Sequence, residues 1–242
     1  MRSGYFTKVL CLIFLPGLPA VTTAQVADSD AFSVERAAMV ETQIEARGVK
    51  DARVLDSMRN VPRHLFIRES LWPLAYSDSP LPISNDQTIS QPYIVAVMTE
   101  LLQPDQHHVV LEIGTGSGYQ AAVLSTLVDW VYSIEIVPEL GRSAESILDR
   151  LGYENVTVRV GDGYQGWPEE APFDRIIVTA APEEIPQKLV EQLKPGGRMI
   201  LPVGPQGWGQ DLLIVEKDGE GNVTTTQTFP VRFVPMVREN ER

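Results

Sequence analysis

The run Val110-Leu111-Glu112-Ile113-Gly114-Thr115-Gly116-Ser117-Gly118 constrains this chain most, because a strand-length apolar segment passes straight into glycines and then a helix-period segment. Such a turn needs backbone conformations that side chains resist, and it lets the chain approach whatever lies at the strand's carboxyl end. The same unit recurs downstream. Apolar runs at His108 to Ile113, Trp130 to Ile136, Asn155 to Val160, Phe173 to Thr179 and Arg198 to Val203 alternate with helix-period segments. Between the second and third, Leu140, Ala144, Ile147, Leu148 and Leu151 share one helical face, opened by Pro138 and closed before Gly152. Alternation of this kind means right-handed crossovers and a parallel sheet covered on both faces. After the turn Pro195-Gly196-Gly197 the helices stop. Asp211 to Lys217 and Thr224 to Met236 then read as a hairpin across Asp218-Gly219-Glu220-Gly221-Asn222. The expected fold is α/β and Rossmann-like: a mostly parallel, doubly wound sheet, an antiparallel C-terminal hairpin and extra N-terminal helices.

Ahead of the sheet, Ser33 is placed to cap a helix running to about Arg47 and stopping at Gly48; a second runs from about Asp51 to Asn60, ended by Pro62. The polar loop 76–87 leads into Thr88-Ile89-Ser90-Gln91-Pro92, where Ser90 can cap a helix that tolerates Pro92 in its first turn. Residues 33–242 read as one domain, with N-terminal helices and a loop over 33–104 and the core over 105–242. Residues 25–32 read as a linker. Before it, Arg2 and Lys8 precede the apolar run Val9 to Leu15, then Pro16, Gly17 and Thr22-Thr23-Ala24, which is the layout of a signal peptide cleaved after Ala24. Export to the periplasm is expected; the alternative is a start at Met39 and a cytoplasmic product. Cys11 is the only cysteine, so the mature chain would have no thiol chemistry. The net charge of -12 argues against nucleic acid, whose affinity comes from Lys and Arg displacing counterions. Past the leader, no run approaches the roughly 20 apolar residues needed to cross a bilayer.

The glycine loop, Glu135 at the close of the second strand, and Asp162 between Gly161 and Gly163 converge on the carboxyl ends of neighbouring strands. A carboxylate about 20 residues beyond the glycines can accept hydrogen bonds from both hydroxyls of a ribose, and Asp162 can meet an adenine edge. Two ligands compete. A nicotinamide dinucleotide asks for Gly or Ala at the loop's sixth position, where this chain has Tyr119. S-adenosylmethionine carries no phosphate, so the helix start need not stay open to an anion. It is the cofactor expected, with a nicotinamide-dependent oxidoreductase as the alternative.

The block Asp86-Gln87-Thr88-Ile89-Ser90-Gln91-Pro92-Tyr93, upstream of Leu111 to Tyr119, resembles the protein-L-isoaspartate (D-aspartate) O-methyltransferase family. The likeness continues through Gly161-Asp162-Gly163, Ala171-Pro172-Phe173-Asp174, Val178-Thr179-Ala180-Ala181-Pro182, Leu201-Pro202-Val203-Gly204 and Val231-Arg232-Phe233-Val234-Pro235, spanning about residues 39 to 236. The resemblance implies a class I methyltransferase fold and methyl transfer from S-adenosylmethionine to the free carboxylate of isoaspartyl residues in damaged proteins or peptides. The ester then collapses to a succinimide, whose hydrolysis returns some aspartate. It further implies Ser90 as the active-site serine, and Thr88, Ile89, Glu112, Gly114, Thr115, Gly116, Ser117, Gly118, Glu135, Ile136, Asp162 and Gly163 as cofactor-binding residues. Phe233 and Val234 would lay out the substrate backbone. Separately from the resemblance, a monomer is expected. In one departure, the family's glycines before Thr-Ile-Ser are here Ser84, Asn85 and Asp86; Asn and Asp tolerate positive φ, so the turn can survive. A different class remains open, an exported non-catalytic protein that binds damaged chains.

An acceptor carboxyl with a pKa near 3.5 is already ionised at neutral pH, so methyl transfer to it asks for orientation more than for a base. A covalent role for Ser90 would need a positioned base, and the chain has only His64, His107 and His108, with no Gly-x-Ser-x-Gly elbow around Ser90. No metal-ligand spacing is present.

Overall fold

The computed structural model describes residues 32–205 and 209–239. The expected leader, Cys11 and Trp208 lie outside them. The first helix, α1 (Ser33–Met39), continues through a π turn at Val40–Ile44 and a 3-10 turn at Glu45–Arg47, and stops where Gly48 takes a φ of 102°. Ser33 is its first helical residue and not its cap. The residue ahead, Phe32, packs against His64, Trp72 and Tyr76, so the expected linker ends before it. Burial of an aromatic ring outweighs what a serine hydroxyl offers at a helix start. In α2 (Ala52–Asn60), Asp51 is the cap, accepting from the Arg53 amide.

Two short strands, β1 (Leu81–Pro82) and β2 (Thr88–Ile89), pair antiparallel ahead of α3 (Pro92–Leu102). Seven strands follow: β3 (Val109–Ile113), β4 (Trp130–Glu135), β5 (Val156–Val160), β6 (Phe173–Val178), β7 (Leu193–Val203), β8 (Gln210–Lys217) and β9 (Val223–Val231). They form one sheet in the order β5-β4-β3-β6-β7-β8-β9, parallel through β7 and antiparallel beyond. Two boundaries differ from expectation. Leu193 already pairs with Phe173, and the ladder resumes at Arg198 beyond a bulge, so Pro195-Gly196-Gly197 lies inside β7. At the other end β9 closes at Val231, and the chain returns beside the end of β6. There the Ala181 amide donates to Val234 O and the Met236 amide to Ala181 O, both at 2.8 Å. Pro235, between them, has no N–H to give a hairpin partner.

Alternate strand residues divide between two apolar clusters. Val110, Val131, Ile177 and Ile200 face α3, α4 (Tyr119–Ser125) and α5 (Pro138–Leu151), while Leu111, Ile134, Ile176 and Met199 face Trp167 and Leu189 of α6 (Gln187–Glu191). Each such side chain contributes about 1.5–3 kcal/mol on burial, and a strand buried on both faces has no place for polar alternation. Helix α5 follows its sequence signals closely. Pro138 fits the donor-free first turn, Leu140, Ala144 and Leu148 are buried, and Gly152 ends it at a φ of 81°. Among the described residues no helix is long and apolar enough to cross a membrane.

Candidate active site

The chain runs from β3 outward to β4 and β5, then returns to place β6 on the other side of β3, so the strand order reverses between β3 and β6. Ligands of open α/β sheets bind where strand order reverses, at the carboxyl ends. A crevice of about 400 Å³ opens there. Thr88, Ile89 and Ser90 line it from above, Gly114 to Ser117 and Glu135 to Val137 from the ends of β3 and β4, and Thr179 and Ala180 from the end of β6. Gly163 and the returning segment Val234 to Val237 complete it.

Gly114 takes a φ of 97°, and a Cβ there would lie 2.5 Å from Thr179 Oγ1. That hydroxyl donates to Gly114 O at 2.7 Å, stitching the glycine loop to β6. Glu135 is 5% exposed and holds the loop from the other side: the Gly116 amide donates to its Oε2 at 2.8 Å and the Val137 amide to its Oε1 at 2.9 Å. Gly163 also requires its hydrogen, because a Cβ would overlap the Ile113 side chain. The Ser90 hydroxyl bonds to no described residue, and the position ahead of α3 is Gln91, so Ser90 is not a cap; it lines the crevice.

Four residues expected at the cofactor or substrate lie outside this lining. Glu112 is fully buried: strand alternation turns it away from the crevice toward its cross-strand neighbour Ser133, whose hydroxyl donates to Glu112 Oε2 at 2.5 Å. Ser133 Oγ lies 2.6 Å from Thr115 Oγ1, so Glu112 reaches the loop only through this chain of hydroxyls. Gly118 precedes the first turn of α4 at a φ of 86°. The Asp162 carboxylate accepts from the Tyr164 amide and caps a 3-10 turn at Gly163–Gln165. Phe233 is partly buried, and its amide donates to Gln210 Oε1 at 2.9 Å.

Burial pushes the Glu112 carboxyl up to about 8, with the nearby Glu135 charge adding to it and the Ser133 hydroxyl opposing it. A carboxyl that binds its proton more tightly in the fold than in the unfolded chain stabilises fully below the unfolded pKa of about 4.3, and that stability is lost as pH rises toward 8. Denaturant midpoints at pH 5.5 and 8.5 test this. Glu112→Gln is expected to gain on wild type by several kcal/mol as pH rises across that window, and an unchanged difference would refute the buried neutral acid.

Gln120 and Thr179 also line the crevice, although nothing in the sequence pattern assigns them a role. Thr99 Oγ1 spends its proton on Val95 O at 2.7 Å, so it can only accept from Gln120 Nε2 at 2.9 Å. The amide oxygen of Gln120, 8% exposed overall, is thereby the end left for the crevice. Nothing near Gln120 in sequence signals this, because its orientation is set from α3.

No histidine lines the crevice. His64 is fully buried with its Nδ1 2.7 Å from the Tyr76 hydroxyl, and His107 and His108 lie at the amino end of β3, opposite the site. No group of His, Cys, Asp or Glu among the described residues could hold a metal ion. Asp86 and Glu135 are the charged residues of the described lining, which includes no Lys, Arg or His. A pyrophosphate would meet no countercharge there, whereas a sulfonium suits it. The sheet order, glycine loop, ribose-side carboxylate and acidic crevice define a Rossmann-like, class I methyltransferase.

Comparison with known proteins narrows this. Residues 34–241 match the family model for protein-L-isoaspartate(D-aspartate) O-methyltransferase. A protein-L-isoaspartate O-methyltransferase of Opitutus terrae is 52% identical over 94% of this chain and 97% of its own length; one from Gloeobacter violaceus is 54% identical over 83% and 98%. A solved protein-L-isoaspartate O-methyltransferase superposes with a TM-score of 0.77 at 31% identity, over 84% of this chain and 66% of that longer one. A Plasmodium falciparum protein described as a beta-aspartate methyltransferase, solved in complex with S-adenosyl-L-homocysteine, gives 0.72 at 25% identity, over 84% and 98%. The chain belongs to the protein-L-isoaspartate (D-aspartate) O-methyltransferase family.

Proposed function

We propose that this protein transfers a methyl group from S-adenosylmethionine to the free carboxylate of L-isoaspartyl residues in damaged proteins and peptides. The observation that carries this reading is Ser90, whose hydroxyl bonds to no described residue and which lines an acidic crevice beside the glycine loop. The bound donor supplies both the methyl group and a sulfonium leaving group.

The chain's residues bind and orient. Gly114 to Ser117 bring backbone against the donor, and Glu135, whose oxygens each keep lone pairs beyond one amide, accepts from the ribose hydroxyls. Gly163 and the turn capped by Asp162 border the adenine. Ile89, Val95, Ile113, Ile134 and Val234 exclude water with apolar walls. Ser90 donates to the acceptor carboxylate and holds it toward the methyl carbon. Because that carboxylate is already ionised, no base is required, in keeping with a lining free of histidine. Glu112 acts through Ser133 on Thr115 as a positioning residue.

Purified protein incubated with labelled donor is expected to methylate an isoaspartyl peptide and to leave the matched aspartyl peptide unlabelled. Donor binding without transfer would reject the assignment and favour a binding protein. We propose in addition that the enzyme works outside the cytoplasm, supported by the basic, apolar and small-residue succession of residues 2–24. Sequencing the mature N-terminus should read Gln25; a chain beginning at Met1 or Met39 would refute export by this leader.

A further inference from the structure

The hairpin between β1 and β2 carries Asn85 and Asp86 at its tip, both in the left-handed region at φ of 58° and 56°. The Gln87 amide donates to Ser84 O at 3.2 Å and the Ile83 amide to Gln87 O at 2.9 Å, which closes the tip against the crevice it lines. The Asp86 side chain is exposed and has no hydrogen bond or ion pair with any described residue. Glu135, the other charged residue of the lining, is buried with each oxygen accepting a backbone amide. Among the described lining residues, the charge left uncommitted is therefore the negative one of Asp86, on a chain of net charge -12.

We propose that Asp86 sets the enzyme's preference among isoaspartyl sites, favouring those with Lys or Arg beside the damaged residue and disfavouring those with Asp or Glu there. This rests on the isoaspartyl reading of the crevice. The acceptor carboxylate is held inside by Ser90, but the residues flanking it must pass the mouth. There an exposed carboxylate acts on them over about 8 Å at physiological ionic strength. Exposed charge pairs of this kind change affinity by about two- to fivefold each, and the effect weakens with salt. The turn itself does not need the charge, since Asn and Gly hold positive φ as well as Asp does.

The test uses three isoaspartyl peptides identical except for Lys, Gln or Glu next to the isoaspartyl residue. Wild type is expected to show a kcat/KM ratio between the Lys and Glu peptides of about tenfold in dilute buffer, shrinking as salt is added. Asp86→Asn, which keeps the conformation and removes the charge, should bring that ratio within about twofold, and Asp86→Gly, a second uncharged residue suited to the turn, should do the same. A wild-type enzyme indifferent to the flank, or a ratio that survives in either neutral variant, overturns the proposal. Failure to methylate any of the three peptides while the donor still binds is a separate result, and it removes the methyltransferase reading on which the preference stands.

Discussion

Ser90→Ala should lower turnover on an isoaspartyl peptide by about a hundredfold while changing affinity for S-adenosylmethionine or its demethylated product by less than about threefold. The size follows from geometry. As the methyl group moves, the negative charge of the acceptor and the positive charge of the sulfonium cancel, so a hydrogen bond to the carboxylate is no stronger at the transition state than before it. Its value is in aiming the attacking oxygen along the axis of the breaking bond, and misplacement by about 1 Å costs on the order of a hundredfold. The serine is placed for this by a neighbour on each side. Thr88 and Ile89 are tied into the β1–β2 hairpin, and Pro92 starts α3 directly after Gln91. Steady-state kinetics with calorimetry for the donor separates the possibilities, and equal losses in turnover and donor affinity would mean that Ser90 supports the loop and not the acceptor.

The second large effect is at Gly114. Alanine there must hold a φ of 97° and place its methyl 2.5 Å from Thr179 Oγ1, which bonds to both Ile113 O and Gly114 O. Thr179 can retreat only by giving up those bonds, so strain of about 1–2 kcal/mol adds to the loss of the stitch between β3 and β6. Gly114→Ala should melt about 5 °C lower than wild type and bind S-adenosylhomocysteine at least about tenfold more weakly. An affinity within about twofold of wild type would show that the loop does not need its present path.

The sheet was legible because its central parallel strands are buried on both faces, leaving apolar stretches such as Ile176 to Val178 with no competing pattern. The glycine loop and Glu135 were legible for a related reason: few side chains suit a tight turn or a strand end beside a ribose. What escaped depends on partners far along the chain. Glu112 reads as a ligand from its place beside the glycines, but its direction is fixed by the pleat and by Ser133 across the ladder. Ser33 and Ser90 have the composition of helix caps. Phe32's aromatic contacts and the β1–β2 pairing decide otherwise. Gln120 is oriented by Thr99, and Leu193 joins β7 because Phe173 is there to receive it. Such pairings cannot be weighed until the sheet order is known.

The two amides that join Ala181 to Val234 and Met236 have a temporal consequence. All strands of the large sheet precede residue 232, so a chain cut short there keeps every ladder while one wall of its pocket is missing. Competence thus depends on a segment made only after every strand of the sheet, and removing that segment takes away the pocket wall while leaving each ladder its partners.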